Sequence, residues 1–189
     1  MRTLHVPDTV LSVPGKPPEA GQAVLVDGRQ IVAVGPYEEL AEANPDARMR
    51  RWPGGLLTPG LVNRHAAELL ERLYHPDPRE ADTLGTEPLD PAAAGLEMDD
   101  TRWGASARRG LQRMLANGTT AVAGEFRRAA VREAVERSPL RHLTRAGGLP
   151  PRAADFAVFA VRDEAALAEQ GASTCIATVI DGRLVYRRR

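Results

Sequence analysis

Two stretches at opposite ends of the chain carry apolar, β-branched residues on either side of an Asp-Gly pair, and each stretch predicts a β-hairpin. In "AVLVDGRQIVAVG" (residues 23–35), an apolar run that includes Val24 and Val26 precedes an Asp-Gly pair, and a second apolar run follows it. An Asp-Gly pair supplies the positive φ angles that a two-residue hairpin turn needs. The pattern recurs in "CIATVIDGRLVYRRR" (residues 175–189). We therefore expect strands at both ends of the chain, paired in one β-sandwich.

In the middle of the chain, the apolar residues follow the spacing of a helix instead of that of a strand. The stretch from Asp99 to Gly118 begins with acidic capping residues, carries apolar residues at helical spacing and stops at a glycine. A short strand, "TTAVAG" (residues 119–124), and a second helix, "EFRRAAVREAVERS" (residues 125–138), are predicted to follow. Residues 75–97 are rich in Pro, Asp, Glu and Gly without periodicity, which predicts a long loop. Strands and helices in alternation are typical of βα units.

Together these patterns predict an α+β protein with two domains. "ADFAVFAV" (residues 154–161) adds a strand shortly before the C-terminal hairpin. We expect residues 1–62 and 153–189 to form a composite β-sandwich domain from both chain ends. Residues 63–152 are then a reduced α/β insert. The two Asp-Gly hairpins should lie in one β domain although they stand far apart in the sequence.

The charge balance and the hydropathy of the chain limit which partners and which cellular compartment we expect. Acidic and basic residues balance at 25 each, so the chain carries no net basic charge for binding nucleic acid. No apolar run approaches the roughly 18 residues of a membrane span, and the N-terminus lacks the apolar core of a signal peptide. We expect no nucleic-acid or membrane partner and a cytoplasmic location. Lys16 is the only lysine among the basic residues, a bias that indicates a bacterium with a GC-rich genome.

Five segments occur in an order that is typical of one enzyme superfamily. The N-terminal hairpin is followed by a predicted helix and by "LLTPGLVNRH" (residues 56–65), which contains a P-G-x-V step. "LQRMLANGTTAV" (residues 111–122) comes next, and "ADFAVF" and "VIDGRLVY" close the chain. This order resembles the amidohydrolase superfamily, and more narrowly its imidazolonepropionase and aminodeoxyfutalosine deaminase branch. The resemblance implies a small β domain, built from both chain ends, beside a metal-binding barrel.

The resemblance also implies hydrolysis of non-peptide C–N bonds by a metal-activated water. The motif of the family, P-G-x-V-D-x-H-x-H, places two histidines at alternate positions of one strand, where side chains point to the same side. Here only His65 remains, because Ala67 occupies the second position and Asn63 replaces the aspartate. We expect His65 to be a vestige of a metal site, and we predict neither a catalytic residue nor a bound cofactor.

The other three histidines do not complete a metal site in the sequence. His5 lies in the predicted β domain, His75 lies in the predicted loop, and His142 lies outside any recognisable strand. Only about 90 residues separate the predicted first barrel strand from the returning β strand. A complete eight-fold barrel takes about 250 residues, so most of the barrel is missing.

Neither cysteine nor serine chemistry is indicated. Cys175 is the one cysteine, which excludes an internal disulfide and a multi-cysteine zinc site. Its apolar strand has no basic neighbour that would lower the pKa of the thiol, so we predict a buried core residue. Ser106 and Ser138 have no histidine and aspartate pattern around them and are predicted to be surface or capping residues.

Two functional hypotheses follow, and the sequence does not decide whether the chain is an enzyme. The first is a remnant of an amidohydrolase that has lost metal-dependent catalysis and acts as a binding, scaffolding or regulatory protein. The alternative is a hydrolase acting on non-peptide C–N bonds, of the deaminase or cyclic amidase type, with a site completed by oligomerisation. That site would use His65, with His75 or a carboxylate such as Glu68.

A partial barrel leaves strand edges and apolar surface without partners, both of which favour association. We therefore expect a homodimer, or a complex with a full-length amidohydrolase relative that covers the same surface. Light scattering at micromolar concentration measures the oligomeric state. A monomer, with no partner recovered from cell extract, would contradict this expectation and would indicate that residues 75–97 cover the edge.

Overall fold

The structure is a computed structural model that describes residues 1–143 and 152–188. The remaining residues, 144–151 of the predicted insert and Arg189 of the predicted last hairpin, lie outside the described part. The described residues form two compact units, and residues 115–120, placed in the insert by the sequence analysis, are part of the first unit. The first unit comprises Met1–Leu61, Leu115–Thr120 and residues 152–188, and the second comprises Val62–Met114 and residues 121–143.

Strands dominate the first unit and helices the second. No described helix is both long and apolar enough to span a membrane. In chain order the elements are β1 (Arg2–Val10), β2 (Glu19–Ala20), β3 (Gln22–Asp27), β4 (Gln30–Pro36), α1 (Tyr37–Ala43), β5 (Arg48–Pro59), β6 (Leu61–Asn63), α2 (Ala66–Glu71), a 3-10 helix (Pro78–Glu80), α3 (Ala81–Leu84), α4 (Asp100–Ala116), β7 (Thr119–Ala123), α5 (Ala129–Glu136), β8 (Arg141–Leu143), β9 (Phe156–Phe159), α6 (Glu164–Gln170), a second 3-10 helix (Ala172–Thr174), β10 (Cys175–Ile180) and β11 (Arg183–Arg187).

The strands from both chain ends form one eight-stranded sheet, in the order β11-β10-β9-β5-β1-β3-β4, with β2 paired to β1. β5 joins the two halves, because it pairs in parallel with β1 along most of its length and antiparallel with β9 at its end. Val24 and Val26 of β3 share a core cluster with Ala177 and Val179 of β10, although several strands lie between them. The sheet therefore curls around its own core. The α+β prediction is confirmed, and the predicted sandwich is one continuous curled sheet.

The two Asp-Gly hairpins lie in this sheet, as predicted, but they use their turns differently. In the first hairpin Asp27 still pairs with Gln30, so the central turn residues are Gly28 and Arg29 rather than Asp27 and Gly28. Gly28 has a φ of 59°. In the second hairpin, Asp181 and Gly182 are both central, with φ values of 51° and 70°. Positive φ at both central residues is the requirement of a type I′ turn.

Close packing explains why a glycine, Gly60, follows the last residue of β5. A Cβ atom on Gly60 would lie 2.1 Å from the Oγ1 atom of Thr120, which is fully buried in the same unit. The main-chain N–H of Gly60 donates to the carbonyl of Asp155 at 3.1 Å. Only a glycine permits this close approach between the end of β5 and the Thr-Thr step of β7.

The second unit contains α4, which matches its prediction closely. Asp99 caps the helix, because its Oδ1 atom accepts a hydrogen bond from the N–H of Arg102 at 2.7 Å. The buried face of α4 includes Trp103, Ala107 and Leu111. The second predicted helix is shorter than residues 125–138, since α5 starts only after Arg128, whose N–H donates to the Oε1 atom of Glu71 at 2.7 Å.

Two further predictions for this unit were wrong. His142 lies in a strand, because β8 pairs in parallel with β7 in a three-stranded sheet of the order β6-β7-β8. A strand of three residues is too short to show an alternating pattern. Residues 75–97 are not one continuous loop, since they contain a 3-10 helix and α3. Asp77 and Glu80 form a reciprocal capping box there, and Tyr74 and Leu89 form a β-bridge.

Candidate functional site

The segment that follows β6 is where the sequence resemblance places a metal-binding motif. The strand ends at Asn63, whose Oδ1 atom accepts a hydrogen bond from the N–H of His65 at 2.9 Å. His65 is the N-cap residue of α2 and is exposed. Ala67, at the second histidine position of the motif, lies in the first turn of the helix. Both motif positions therefore lie at a helix start and not on a strand.

This local structure changes what the motif can do. Alternate residues of a strand point to the same side, whereas successive residues of an α-helix turn by about 100°, so residues two apart point in nearly opposite directions. Positions 65 and 67 consequently do not converge on one point. The expectation that these two positions share one face of a strand is wrong for this chain.

His142 and Ala67 lie on either side of Gly124, which follows β7. The Cβ atom of Ala67 is 3.1 Å from the position that a Cβ atom on Gly124 would occupy. The Nε2 atom of His142 donates to the carbonyl of Gly124 at 2.8 Å, because a carbonyl oxygen can only accept. The ring of His142 also lies 5.1 Å from the ring of Phe126, between centroids. These contacts give His142 a structural role beside the main chain.

His75 is buried rather than exposed on a loop. Only 4% of its surface is accessible, and its N–H donates to the Oγ atom of Ser106 at 2.9 Å. Its Nε2 atom donates to the carbonyl of Leu69 at 3.1 Å, which leaves Nδ1 without a partner among the described residues. Burial lowers the pKa of His75, the hydrogen bond to Leu69 opposes this effect, and the charges of Arg113 and Arg109 lower the pKa further. The prediction that Ser106 is a surface or capping residue was wrong, since Ser106 is fully buried.

His5 belongs to the core of the first unit. The Nε1 atom of Trp52 donates to the Nδ1 atom of His5 at 3.3 Å, and the ring of Phe156 meets the His5 ring edge-on at 4.8 Å. Burial, and then the charge of Arg50, lower the pKa of His5 to about 3. His5 is therefore a neutral hydrogen-bond acceptor inside the β unit.

The cysteine and the remaining serine occupy the environments that the sequence predicts. Cys175 is fully buried, and burial raises the pKa of its thiol. The Sγ atom of Cys175 donates to the carbonyl of Ala177 at 3.4 Å. The Oγ atom of Ser138 donates to the carbonyl of Val135 at 2.8 Å, at the end of α5. Neither side chain is placed as a nucleophile beside a base.

The four histidines thus lie in four different environments. Within residues 1–143 and 152–188, no three His, Cys, Asp or Glu residues come together in a way that could hold a metal ion. Of the candidate ligands, His65 is exposed, His75 is buried, and Glu68 forms an ion pair with Arg72 at 3.4 Å.

Sequence reasoning missed a cleft of the second unit, which has a volume of about 820 Å³. Its wall includes Trp103, whose ring lies 4.3 Å beneath the guanidinium of Arg128. Acidic and basic side chains both line the cleft, among them Glu71 and Arg72. Its apolar lining includes Met98. The residues come from α2, α4, the segment before α4 and Arg128 at the start of α5, so only the tertiary structure brings them together. Such a cleft can stack and hydrogen-bond a ligand.

Comparison with known proteins gives a match to part of the β unit. Residues 23–47 match the family model described as the imidazolonepropionase-like composite domain of bacteria. The predicted resemblance to this composite domain is therefore confirmed. None of the curated proteins matches the sequence.

Solved structures of deaminases and hydrolases share the fold. Helicobacter pylori aminofutalosine deaminase is 17% identical with a TM-score of 0.51, and the match covers 75% of this chain and 32% of the deaminase. Guanine deaminase from Bradyrhizobium japonicum is 16% identical with a TM-score of 0.50, covering 71% and 31%. Triazine hydrolase from Arthobacter aurescens is 21% identical with a TM-score of 0.50, covering 75% and 34%. The chain spans about a third of the length of each of these proteins.

Proposed function

We propose that this chain is an amidohydrolase-like protein that has lost metal-dependent catalysis and acts as a binding, scaffolding or regulatory protein. The observation that carries the proposal is the local structure at the metal motif. His65 caps a helix, Ala67 replaces the second histidine, and the two positions diverge. A catalytic zinc site usually needs three protein ligands, and the other three histidines are held in separate environments by contacts of their own.

The cleft beside Trp103 supports a role in binding. It combines an apolar wall with both signs of charge, which are the features that orient a ligand without transforming it. We propose that this cleft contributes to the binding role.

We also propose that the three-stranded sheet is covered by a partner, either a second copy of this chain or a full-length amidohydrolase relative. The sheet order β6-β7-β8 ends in β6 and β8, both of only three residues. Within the described residues no further strand extends this sheet beyond β6 or β8, and a strand edge without a partner favours association.

Metal analysis of the purified protein tests the loss of catalysis. We expect no stoichiometric zinc or iron in the isolated protein, and no change in metal content in the His65→Ala variant. The matched control is His142→Ala, which removes the other exposed histidine. About one metal ion per chain that disappears in His65→Ala but persists in His142→Ala would overturn the proposal and would favour the hydrolase hypothesis.

The alternative, a hydrolase whose site is completed by a second chain, has one observation in its favour. His65 is exposed, so a neighbouring chain could supply further ligands to it. His75 cannot take part in such a site, because it is buried within the second unit. Metal binding and hydrolase activity that both rise with protein concentration would support this alternative.

A further inference from the structure

Three arginines share the inner, concave face of the curled sheet. Arg48 and Arg50 alternate along β5, and the strand register places Arg50 directly opposite His5, a buried core residue. Arg187, near the end of β11, lies opposite Ala177 of the core. Residues directly opposite one another on neighbouring strands lie on the same face. All three guanidinium groups therefore belong to the side of the sheet that encloses the core.

Arg187 reaches across the interior toward β5. Its guanidinium carbon lies 5.8 Å from the centroid of the Trp52 ring, within the range of a cation–π contact. Trp52 follows Arg50 on the same face of β5 and is only 5% exposed. Arg187 therefore lies over a buried aromatic ring, and Arg50, two residues before Trp52, is half-buried. Arg48 and Arg187 are exposed, so a ligand can reach them from solvent.

The cluster has no acidic partner among the described residues. Other arginines of the first unit do form ion pairs, which bring Arg2 to Asp27, Arg29 to Asp181 and Arg162 to Asp163. Arg48, Arg50 and Arg187 form no ion pair in the part of the chain that the structure describes. The pKa of Arg50 is lowered by burial and by the charges of Arg48 and Arg187. Three mutually repelling cations are therefore held together without a compensating charge.

We propose that Arg48, Arg50 and Arg187 bind a phosphoryl group, supplied either by inorganic phosphate or by a small phosphate ester. A guanidinium group offers a planar fork of N–H donors that matches the oxygens of phosphate, and arginine is the preferred residue for this recognition. A dianion would neutralise most of the charge of the cluster. The ring of Trp52 forms the adjoining apolar wall. This site lies in the β unit and does not depend on the proposed loss of catalysis.

Thermal unfolding at constant ionic strength tests the proposal. Inorganic phosphate should raise the Tm of the wild-type protein relative to chloride, and Arg50→Gln should abolish most of this rise. Binding of phosphate measured by calorimetry should weaken about tenfold or more in Arg50→Gln, as expected for the loss of a charge-assisted hydrogen bond. Arg187→Gln should have a similar effect, so it can take the place of Arg50→Gln in this experiment if Arg50→Gln folds poorly.

Arg51→Gln is the matched control, because it removes the same charge from the neighbouring position of β5. Arg51 is exposed, its Nη2 atom donates to the hydroxyl of Tyr37 at 3.0 Å, and its guanidinium stacks on the Tyr37 ring. We expect its response to phosphate to equal that of the wild type. A phosphate response that is absent in the wild type, or that Arg51→Gln loses as fully as Arg50→Gln, would overturn the proposal.

The stability of Arg50→Gln relative to the wild type, measured without phosphate, gives a second test. Relief of repulsion between like charges should make Arg50→Gln more stable than the wild type in phosphate-free buffer of low salt. Addition of phosphate should reverse this order. Tighter binding of glycerol phosphate than of inorganic phosphate would identify an ester as the source of the phosphoryl group, and the opposite order would identify the free ion. A wild type that is more stable than Arg50→Gln in both buffers by the same margin would contradict the proposal.

Discussion

Replacement of Gly182 by alanine is expected to lower the free energy of unfolding by about 3–5 kcal/mol, because strain and overlap act together at this position. Gly182 has a φ of 70°, which L-residues with a side chain rarely adopt. A Cβ atom there would lie 2.0 Å from the carbonyl oxygen of Gly28, in the turn of the other hairpin. The overlap involves main-chain atoms and not the flexible end of a side chain.

The main chain around this contact is held by hydrogen bonds and cannot move apart freely. The N–H of Gly182 donates to the carbonyl of Ala154 at 3.0 Å, and the N–H of Ala154 donates to the carbonyl of Arg29 at 2.9 Å. The Oδ1 atom of Asp155 accepts from the N–H of Asp181 at 2.8 Å. Any shift that makes room for a methyl group would lengthen at least one of these bonds.

Gly28→Ala is the matched control for Gly182→Ala. Gly28 has a similar φ of 59°, but no atom lies within 4 Å of the position of its missing Cβ. Only conformational strain remains there, so we expect a loss of about 1–2 kcal/mol. Urea unfolding of both variants measures the difference. Equal losses would show that strain alone acts at Gly182 and that the two turns are not in tight contact.

The sequence predicted those elements whose pattern repeats over many residues. The hairpins, the strand at Phe156 and the long helix α4 are long enough for alternation or helical spacing to appear. The turn residues of the first hairpin were displaced by one position, because an Asp-Gly pair does not reveal whether its aspartate ends the strand or enters the turn. Only the strand register, which depends on the partner strand, determines this.

The candidate site was less predictable, because short elements and side-chain partners decide it. A family motif indicates histidines on a strand, but here the strand ends at Asn63 and a helix starts at Ala66. Nothing in the spacing of the sequence indicates that Ser106 accepts a hydrogen bond from His75, since 31 residues separate them. The run Arg-Met-Arg-Arg at residues 48–51 resembles a stretch of solvated side chains in the sequence. Only the register of β5 shows that Arg50 and Arg51 lie on opposite faces of the sheet.

Arg109 of α4 is one of the side chains that hold the segment from residue 75 to residue 97. The Nε atom of Arg109 donates to the carbonyl of His75 at 2.8 Å, and its Nη2 atom donates to the hydroxyl of Tyr74 at 3.2 Å. Its Nη1 atom forms an ion pair with Asp77 at 3.4 Å. Only 20% of the Arg109 side chain is exposed, so these bonds are partly shielded from water.

Arg109→Met is therefore expected to lower the free energy of unfolding by about 2–4 kcal/mol, because it leaves several partly buried acceptors without a donor. The loss should act first on the segment itself, and trypsin should cleave after the exposed Arg79 about thirtyfold faster or more. Arg108→Met is the matched control, since Arg108 is exposed on the same helix and changes the charge equally. If Arg109→Met and Arg108→Met are cleaved at the same rate, residues 75–97 are held by other contacts, and the anchoring role of Arg109 is wrong.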